Sequence, residues 1–317
     1  MGCKKFNEFL VRAVFPVEKR GKGGQNKSQK GAGKIDGLKA LPHGVIFLFC
    51  KNTGYIRFYL CFVKRFFIEL SYFGKNYHGW QIQPNALTVQ EVLDEALAKL
   101  LKHPVQSMGQ GRTDTGVHAT QFFAHFDTPV ELPTEFFKAL QGNLPIDISV
   151  QRIFEVHADA HTRFSALSRS YEYHISTHRN PFQNDLAWFI PYPLNLEKIQ
   201  LGLDMLVGDQ DFSSFCKSNV VVNNYRCCLT EARIEVLSQK LVFHFSANRF
   251  LRNMVRAMVG TLVELGREKI SPEQFQQIIF AHDRTQAGAS APAHGLFLTQ
   301  VTYPSWVNPQ IFSHEID

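Results

Sequence analysis

The sequence predicts an α+β protein in which helices pack on antiparallel sheet. Strand-like and helix-like stretches are intermixed along the chain, several strands follow one another with little between them, and no short-period repeat occurs.

From residue 65 the elements can be justified in turn. Phe66 to Tyr72 (FFIELSY) is aromatic and β-rich, with Glu69 and Ser71 alternating against Ile68 and Leu70, which reads as a strand. Thr88-Val89-Gln90-Glu91 has the form of a capping box, a hydroxyl and a carboxylate each meeting a free backbone donor at a helix start. Val92, Leu93, Ala96, Leu97, Leu100 and Leu101 then recur at three- and four-residue spacing, an amphipathic helix to about Lys102. A polar loop, Gly109 to Gly116, leads to a strand near Thr120–Phe126, with Phe122, Ala124 and Phe126 on one face. A short helix around Thr134–Gln141 and strands at Ile148–Val156 and Arg169–Ser176 follow. Asn195 opens a helix that buries Leu196, Ile199, Leu203 and Leu206. Strands near Thr230–Val236 and Leu241–Ala247 precede a helix at about Phe250–Gly266. Another helix starts at Ser271-Pro272, with proline at the first helical position, and the last strand lies near Leu296–Tyr303. The order suggests two comparable halves meeting near residue 166, with a cleft between them.

Composition narrows the function classes. The 317 residues are 44% hydrophobic and 20% charged, close to a globular average, which excludes disordered and collagen-like chains. The six cysteines form no CxxC pair or disulfide framework, so reduced thiols and a cytoplasmic location are expected. The longest uncharged apolar run near the amino end, Gly44 to Cys50, falls far short of the roughly 20 residues a membrane helix needs. Of the 34 Lys/Arg and 28 Asp/Glu, residues 1–64 hold 13 and 3, leaving 21 and 25 for residues 65–317. The basic balance therefore belongs to the amino-terminal segment, and a polyanion site in the larger part must come from clustered arginines.

Residues 19–39 are rich in Gly, Lys, Gln and Ser and cannot bury enough apolar surface to offset their ordering entropy. Residues 1–64 are read as a basic, disordered extension adding sequence-independent RNA affinity, or as an over-long gene model in which Val63 marks an alternative start. Residues 304–317 are read as a tail.

Three groups of residues can carry chemistry. In Gly111-Arg112-Thr113-Asp114-Thr115-Gly116-Val117-His118, glycines at both ends let the backbone approach a ligand, and one carboxylate and one guanidinium stand between them. Asp114 alone is equally a turn-stabilising residue. Arg249, Arg252 and Arg256 follow at i, i+3 and i+7 in the expected helix, a stripe that suits either solvent or an anionic partner. An arginine reaching Asp114 would favour the ionised carboxylate. Arg163 and Arg169 flank Phe164, and Tyr171 and Tyr173 follow in a strand. Aromatics beside arginines stack on unpaired bases, while core packing is the plainer account of the tyrosines. His78, Trp80, His118 and His125 lack metal-ligand spacing, and neither a GKS/GKT phosphate loop nor GxSxG occurs, so no metal and no nucleotide cofactor are expected.

Together these residues resemble the tRNA pseudouridine synthase A (TruA) family over roughly residues 65–303. The matching blocks run in order: YFGKNYHGWQIQ at 72–83, TVQEVLDEAL, GRTDTGVHATQFFAHF at 111–126, NLP at 143–145, HTRFSALSRSYEYHI at 161–175, DFSSF at 211–215, NRFLRNMVRAMVGTLVELG at 248–266 and DRTQAGASAPAHGLFL at 283–298. Thr115 stands where the family often has Ala, and Gln121-Phe122-Phe123 where a more aliphatic run is usual. The resemblance implies the pseudouridine synthase fold, with two related α/β halves (65–166 and 167–303) sharing a continuous antiparallel sheet around a central cleft. It implies conversion of uridine to pseudouridine at positions 38–40 of the tRNA anticodon stem–loop, without cofactor or metal, by a homodimer. By the same resemblance Asp114 is the catalytic carboxylate, Arg256 its partner, Arg112 the residue filling the space of the flipped nucleotide, and Tyr171 the aromatic packing on the target base. His161, Arg163, Phe164, Arg249 and Arg252 are expected to contact RNA. The competing reading is a catalytically silent RNA-binding module of the same fold.

Overall fold

The computed structural model describes residues 63–218 and 224–311, together with the backbone of strand pieces at 12–13, 45–46, 58–59 and 61–62. The disordered stretch expected at 19–39 lies outside the described residues. Residues 1–64 and 128–131 belong to one unit, residues 65–127 and 132–317 to another. In the first, Arg12–Ala13 pairs antiparallel with Phe58–Tyr59 and Val45–Ile46 with Cys61–Phe62.

The larger unit follows the expected element order. The strands of its sheet are β1 (Lys64–Tyr72), β2 (Met108–Gly109), β3 (His118–Thr128), β4 (Ile148–Val156), β5 (Ser168–Ser176), β6 (Trp188–Phe189), β7 (Gly208–Asp211), β8 (Arg226–Leu237), β9 (Lys240–Ala247) and β10 (Leu296–Thr302). The helices are α1 (Val89–Leu101), α2 (Phe136–Asn143), α3 (Leu196–Leu206), α4 (Met254–Gly266) and α5 (Pro272–Ala281). All ten strands join one sheet in the order β7-β8-β9-β5-β10-β3-β1-β4, with β2 beside β3 and β6 beside β5. The β7–β8, β8–β9, β9–β5, β5–β10 and β1–β4 pairs are antiparallel. The expectation of antiparallel pairing throughout needs two amendments: the short β6 runs parallel to β5, and β3 meets β10 in parallel, through His118 opposite Phe297 and Ala119 opposite Leu298. β10 returns from the carboxyl end of the chain and is inserted between β5 and β3, so its direction is set by β5.

Two hydrophobic clusters stabilise the unit. One contains α3, α4 and α5 packed on β5, β8 and β9, with Tyr173, Leu203, Phe243 and Met258 among its buried members. The other contains α1 and α2 with β1, β3 and β4, and draws Leu298, Val301 and Tyr303 from β10 and the turn after it. β3 departs from a one-faced strand. Phe122, Ala124 and Phe126 are buried as expected, but Phe123 and His125 on the opposite side are buried too. Tyr303 covers Phe123 edge-on at 5.2 Å and Phe67 lies 6.0 Å from the His125 ring, giving this side a second packed layer.

Most termini follow local rules. Thr88 Oγ1 accepts from the Glu91 N–H at 3.3 Å, although Glu91 makes no return bond among the described contacts, so the expected box is half formed. Ser271 and Gln274 form a complete one at α5. The helix expected from Phe250 begins only at Met254, because Asn253 adopts the left-handed conformation (φ 65°, ψ 5°) and breaks the helical path. Arg249 and Arg252 therefore lie in the preceding loop, and the three arginines do not form a helical stripe.

Burial also sets a pH dependence. His125 is buried, its Nδ1 lies 2.8 Å from Thr162 Oγ1, and desolvation, aided by the Arg65 and His161 charges, pushes its pKa down to about 4. As pH falls from about 6.5 to about 4, the unfolded chain binds a proton there that the folded chain refuses. Stability from this group is thus complete above about pH 6.5 and is lost on acidification, by roughly 3 kcal/mol in all. Urea midpoints of the parent and His125→Gln across this range should show the variant's curve flatter by about one proton; parallel curves would refute the assignment.

Candidate active site

The loop from Gln110 to Val117 joins β2 to β3 and is fixed at each end. The Gln110 N–H donates to Phe123 O at 2.8 Å, and the Gly116 N–H donates to Tyr77 O at 3.2 Å. Inside it, the Val117 N–H donates to Asp114 O at 3.1 Å, closing a turn, and Thr113 Oγ1 lies 2.9 Å from the buried Tyr72 hydroxyl. Gly79 approaches the loop closely. Its φ is +83°, and a β-carbon there would stand 2.1 Å from Thr113 O. Gly79→Ala would add a strained backbone and a clash against the residue preceding Asp114. It should cost about 2–4 kcal/mol of stability and lower turnover at least about tenfold. A melting curve and turnover matching the parent would show that the close approach is unimportant.

His118 anchors the exit of the loop. It is buried between Phe73 and Phe297, whose ring centroids lie 4.7 Å from its own. Nδ1 accepts from the Gly74 N–H at 2.9 Å, which leaves the proton on Nε2, 2.9 Å from Asp185 O. Burial holds its pKa below the ordinary histidine value. His118 is thus a neutral tether, and no role for it was apparent from the sequence.

These supports leave Asp114 facing guanidinium groups from a segment 142 residues further on. Arg256 Nη1 donates to Asp114 Oδ2 at 3.2 Å, and Arg252 Nε stands 3.9 Å from Oδ1. The Asp114 side chain is 25% exposed and that of Arg256 20%, so the pair is half-sheltered rather than sealed from solvent. Arg256 is itself held, Nε donating to Ala291 O at 2.7 Å. Asp114, Arg112, Arg252 and Arg256 all line a cleft of about 1080 Å³. That exceeds the usual range for a drug-sized ligand, roughly 300–1,000 Å³, and suits an extended one. Arg112 is exposed on its wall and forms no ion pair among the described residues.

The remaining expected site residues fall in two other places. Tyr171 does not line the cleft. It packs against both hydrophobic clusters and meets Phe250 edge-on at 5.0 Å. Burial pushes its phenol up to about 12, opposed by the Arg169 guanidinium and aided by the Asp114 charge. Tyr173 is fully buried and donates its hydroxyl to Pro292 O at 2.8 Å, the core role considered for it. His161, Arg163 and Phe164 form a neighbouring patch: Phe164 is 76% exposed, the Arg163 guanidinium lies 5.5 Å from its ring centre and the His161 ring 4.5 Å from it. Arg169 joins this patch to the Asp114 loop. Its guanidinium donates to Arg163 O, Ala166 O, Asn248 O and the side-chain oxygen of Gln110. Arg249 is outside the cleft, near the buried thiols of Cys216 and Cys227.

Sequence reasoning assigned no role to several cleft residues: His78, Gln81, Ile82, Lys217, Asn253 and Arg284. The available signal was the run of polar and small residues in WQIQ and DRTQAGASAPAHG. Asp127 is engaged by Arg65 at 2.7 Å through both oxygens. Among the described residues no group of three or more His, Cys, Asp or Glu is placed to hold a metal ion, and no helix is long and apolar enough to cross a membrane.

Known proteins share this framework. A family model described as tRNA pseudouridine synthase matches residues 203–304. The tRNA pseudouridine synthase A of Parabacteroides distasonis is 44% identical over 249 residues, 78% of this chain and 99% of that protein. The enzyme of the same name from Porphyromonas gingivalis is 45% identical over 248 residues, 77% of this chain and 98% of that protein.

This chain belongs to the tRNA pseudouridine synthase A family.

It is accordingly an RNA-modifying isomerase with the pseudouridine synthase fold. A third member, from Exiguobacterium sibiricum, is 41% identical over 243 residues, 76% of this chain and 98% of that protein. These relatives are matched almost end to end by about three quarters of the present sequence. Within the TruA framework, the cleft containing Asp114 and the adjoining patch around Phe164 both present arginine beside ligand-accessible space.

Proposed function

We propose that this protein isomerises uridine to pseudouridine at positions 38–40 of the tRNA anticodon stem–loop, with Asp114 as the catalytic carboxylate. One observation carries the reading: Asp114 and Arg256, far apart in sequence, meet at 3.2 Å on the wall of a large cleft, with Arg252 beside them. In this reading the segments 65–166 and 167–303 are the two halves flanking the cleft, and the enzyme acts as a cytoplasmic homodimer.

The reaction moves one bond. The N1–C1′ glycosidic bond breaks, the uracil turns within the cleft, C5 bonds to C1′, the hydrogen on C5 departs as a proton, and N1, which kept the electron pair of the broken bond, takes a proton up. Attack of the carboxylate on C1′, attack on C6 and removal of a ribose proton all begin with the same oxygen. A carboxylate held from bulk water needs a fixed cation, and arginine retains its charge where a buried lysine loses it. Arg112, exposed and without an ion pair among the described residues, is suited to enter the stack in place of the extruded nucleotide, offsetting part of the few kcal/mol that extrusion costs. Tyr171 would pack on the uracil, and Arg252 would neutralise phosphate. His161, Arg163, Phe164 and Arg249 would hold the flanking RNA by stacking and charge.

Mapping pseudouridine in tRNA from a deletion strain, with and without this gene supplied, tests the assignment. Loss and restoration at positions 38–40 is expected. Loss at other positions would make the protein a relative with a different target, and no loss at any position would favour the silent RNA-binding module.

A further inference from the structure

The turn ahead of α4 departs from the usual helix start. Asn253 adopts the left-handed conformation, uncommon outside glycine though asparagine tolerates it better than most residues, and although asparagine is among the best helix caps, its side chain makes no capping bond. Such departures are retained where surrounding structure enforces them, and they concentrate at functional sites. Here the enforcing contact is visible: Asn253 Nδ2 donates to Ser290 Oγ at 2.6 Å.

Ser290 is a shared acceptor. Arg284 Nη2 donates to the same oxygen at 3.0 Å, and Nη1 donates to Ala287 O at 3.1 Å, folding the 284–290 loop onto itself. The next residue, Ala291, exchanges bonds with Arg256, its N–H donating to Arg256 O at 2.9 Å while its carbonyl accepts from Arg256 Nε. One turn on, Gly260 lies so close to the loop that a β-carbon would stand 1.8 Å from Ala289 O. The loop therefore contacts the start of α4 at three successive points. Two of these fix Asn253 and Arg256, and Arg252 immediately precedes the first.

We propose that Asn253 and Arg284, acting through Ser290, are positioning residues. They hold the left-handed turn so that Arg252 in the loop and Arg256 in the helix converge on Asp114. The inference rests on Asp114 being the catalytic carboxylate. A continuous helix from residue 250, the conformation the apolar spacing favours, would place the two guanidiniums at successive positions along one helical face instead of closing on a single carboxylate.

Two variants isolate the tether from the backbone. Asn253→Gly keeps the left-handed turn at no steric cost and deletes the amide, while Ser290→Ala deletes the shared acceptor. Under steady-state conditions with tRNA, each should lower kcat about tenfold, the worth of one lost hydrogen bond, with KM within about twofold and melting temperature little changed. The double variant should be no slower than Ser290→Ala, which already removes the Asn253 bond together with that of Arg284, and Ser290→Thr should recover most of the lost rate. Parent-like kcat in both single variants, a double variant slow by the product of the two effects, or failed rescue by threonine would overturn the proposal. Asp114→Asn, measured alongside, separates the two claims. If it is inactive while Asn253→Gly and Ser290→Ala are parent-like, only the positioning role falls; if it is active, the catalytic assignment falls and the positioning role with it.

Discussion

Asp114→Asn is expected to abolish pseudouridine formation, by at least about 10³-fold in kcat, while leaving tRNA affinity within a few-fold of the parent. The substitution keeps the size and planarity of the group and removes its charge and basicity. Every route by which the carboxylate can act, as nucleophile or as base, requires that charge. Binding should be little affected, since the cations lining the cleft remain and one negative charge facing RNA has gone. Single-turnover assays for product, paired with filter binding at fixed salt, measure both quantities, because affinity for polyanions is meaningful only at a stated salt concentration. If turnover fell less than tenfold, Asp114 would have at most an auxiliary role.

The second largest effect is expected at Arg256. Truncation to alanine removes the nearer of the two cations facing Asp114, at 3.2 Å, and the contact to Ala291 O. Removing one member of a sheltered charge pair typically costs about 2–5 kcal/mol, and the partial exposure of both side chains favours the lower end. With Arg252 still 3.9 Å from the other carboxylate oxygen, kcat should fall about 10²-fold. Arg256→Lys distinguishes charge from geometry. The guanidinium reaches Ala291 O through Nε and Asp114 through Nη1, and a single ammonium cannot span both. Lysine should therefore recover only part of the rate, leaving a deficit of about tenfold. Full activity in the lysine variant would show that a point charge suffices and that the tether to residue 291 is dispensable.

Which parts of this structure were legible in the sequence follows from the range of each interaction. β4 spans Ile148–Val156 as expected, and α3 begins behind the Asn195 cap, because alternation and capping are local signals. The start of α4 was misread for a physical reason. Leu251 is buried, and with Met254, Val255 and Met258 it preserves helical spacing through a turn that is not helical. Apolar periodicity reports which residues are buried and carries no information about the sign of φ. The asparagine at 253, tolerant of the left-handed region, was the available hint. The parallel join of β3 to β10 was hidden because it depends on where a strand from the carboxyl end is inserted.

The candidate site divides in the same way. Asp114 stood out in the sequence because glycines, a carboxylate and a guanidinium lie within eight residues. Its pairing with Arg256 joins segments 142 residues apart and was reached through family resemblance, since no local pattern specifies it. The arginines were grouped by helical spacing. Two of them, Arg252 and Arg256, do reach one carboxylate, though by a sharp turn rather than a shared helical face, and Arg249 does not line the cleft. Arg284 and Ser290 were silent because Arg284 bonds to a backbone carbonyl and to the Ser290 hydroxyl, partners that leave no charge pattern in a sequence.

The central claim is spatial: the target uridine leaves its helix and is received where Asp114 and Arg256 meet. A crystal structure of Asp114→Asn bound to an anticodon stem–loop tests it most directly. The account predicts one nucleotide among positions 38–40 turned out of the stack, its C1′ beside the residue 114 side chain, its base against Tyr171, and Arg112 in the vacated space. A stem–loop bound with all its bases stacked, or seated on a face away from residue 114, would contradict it.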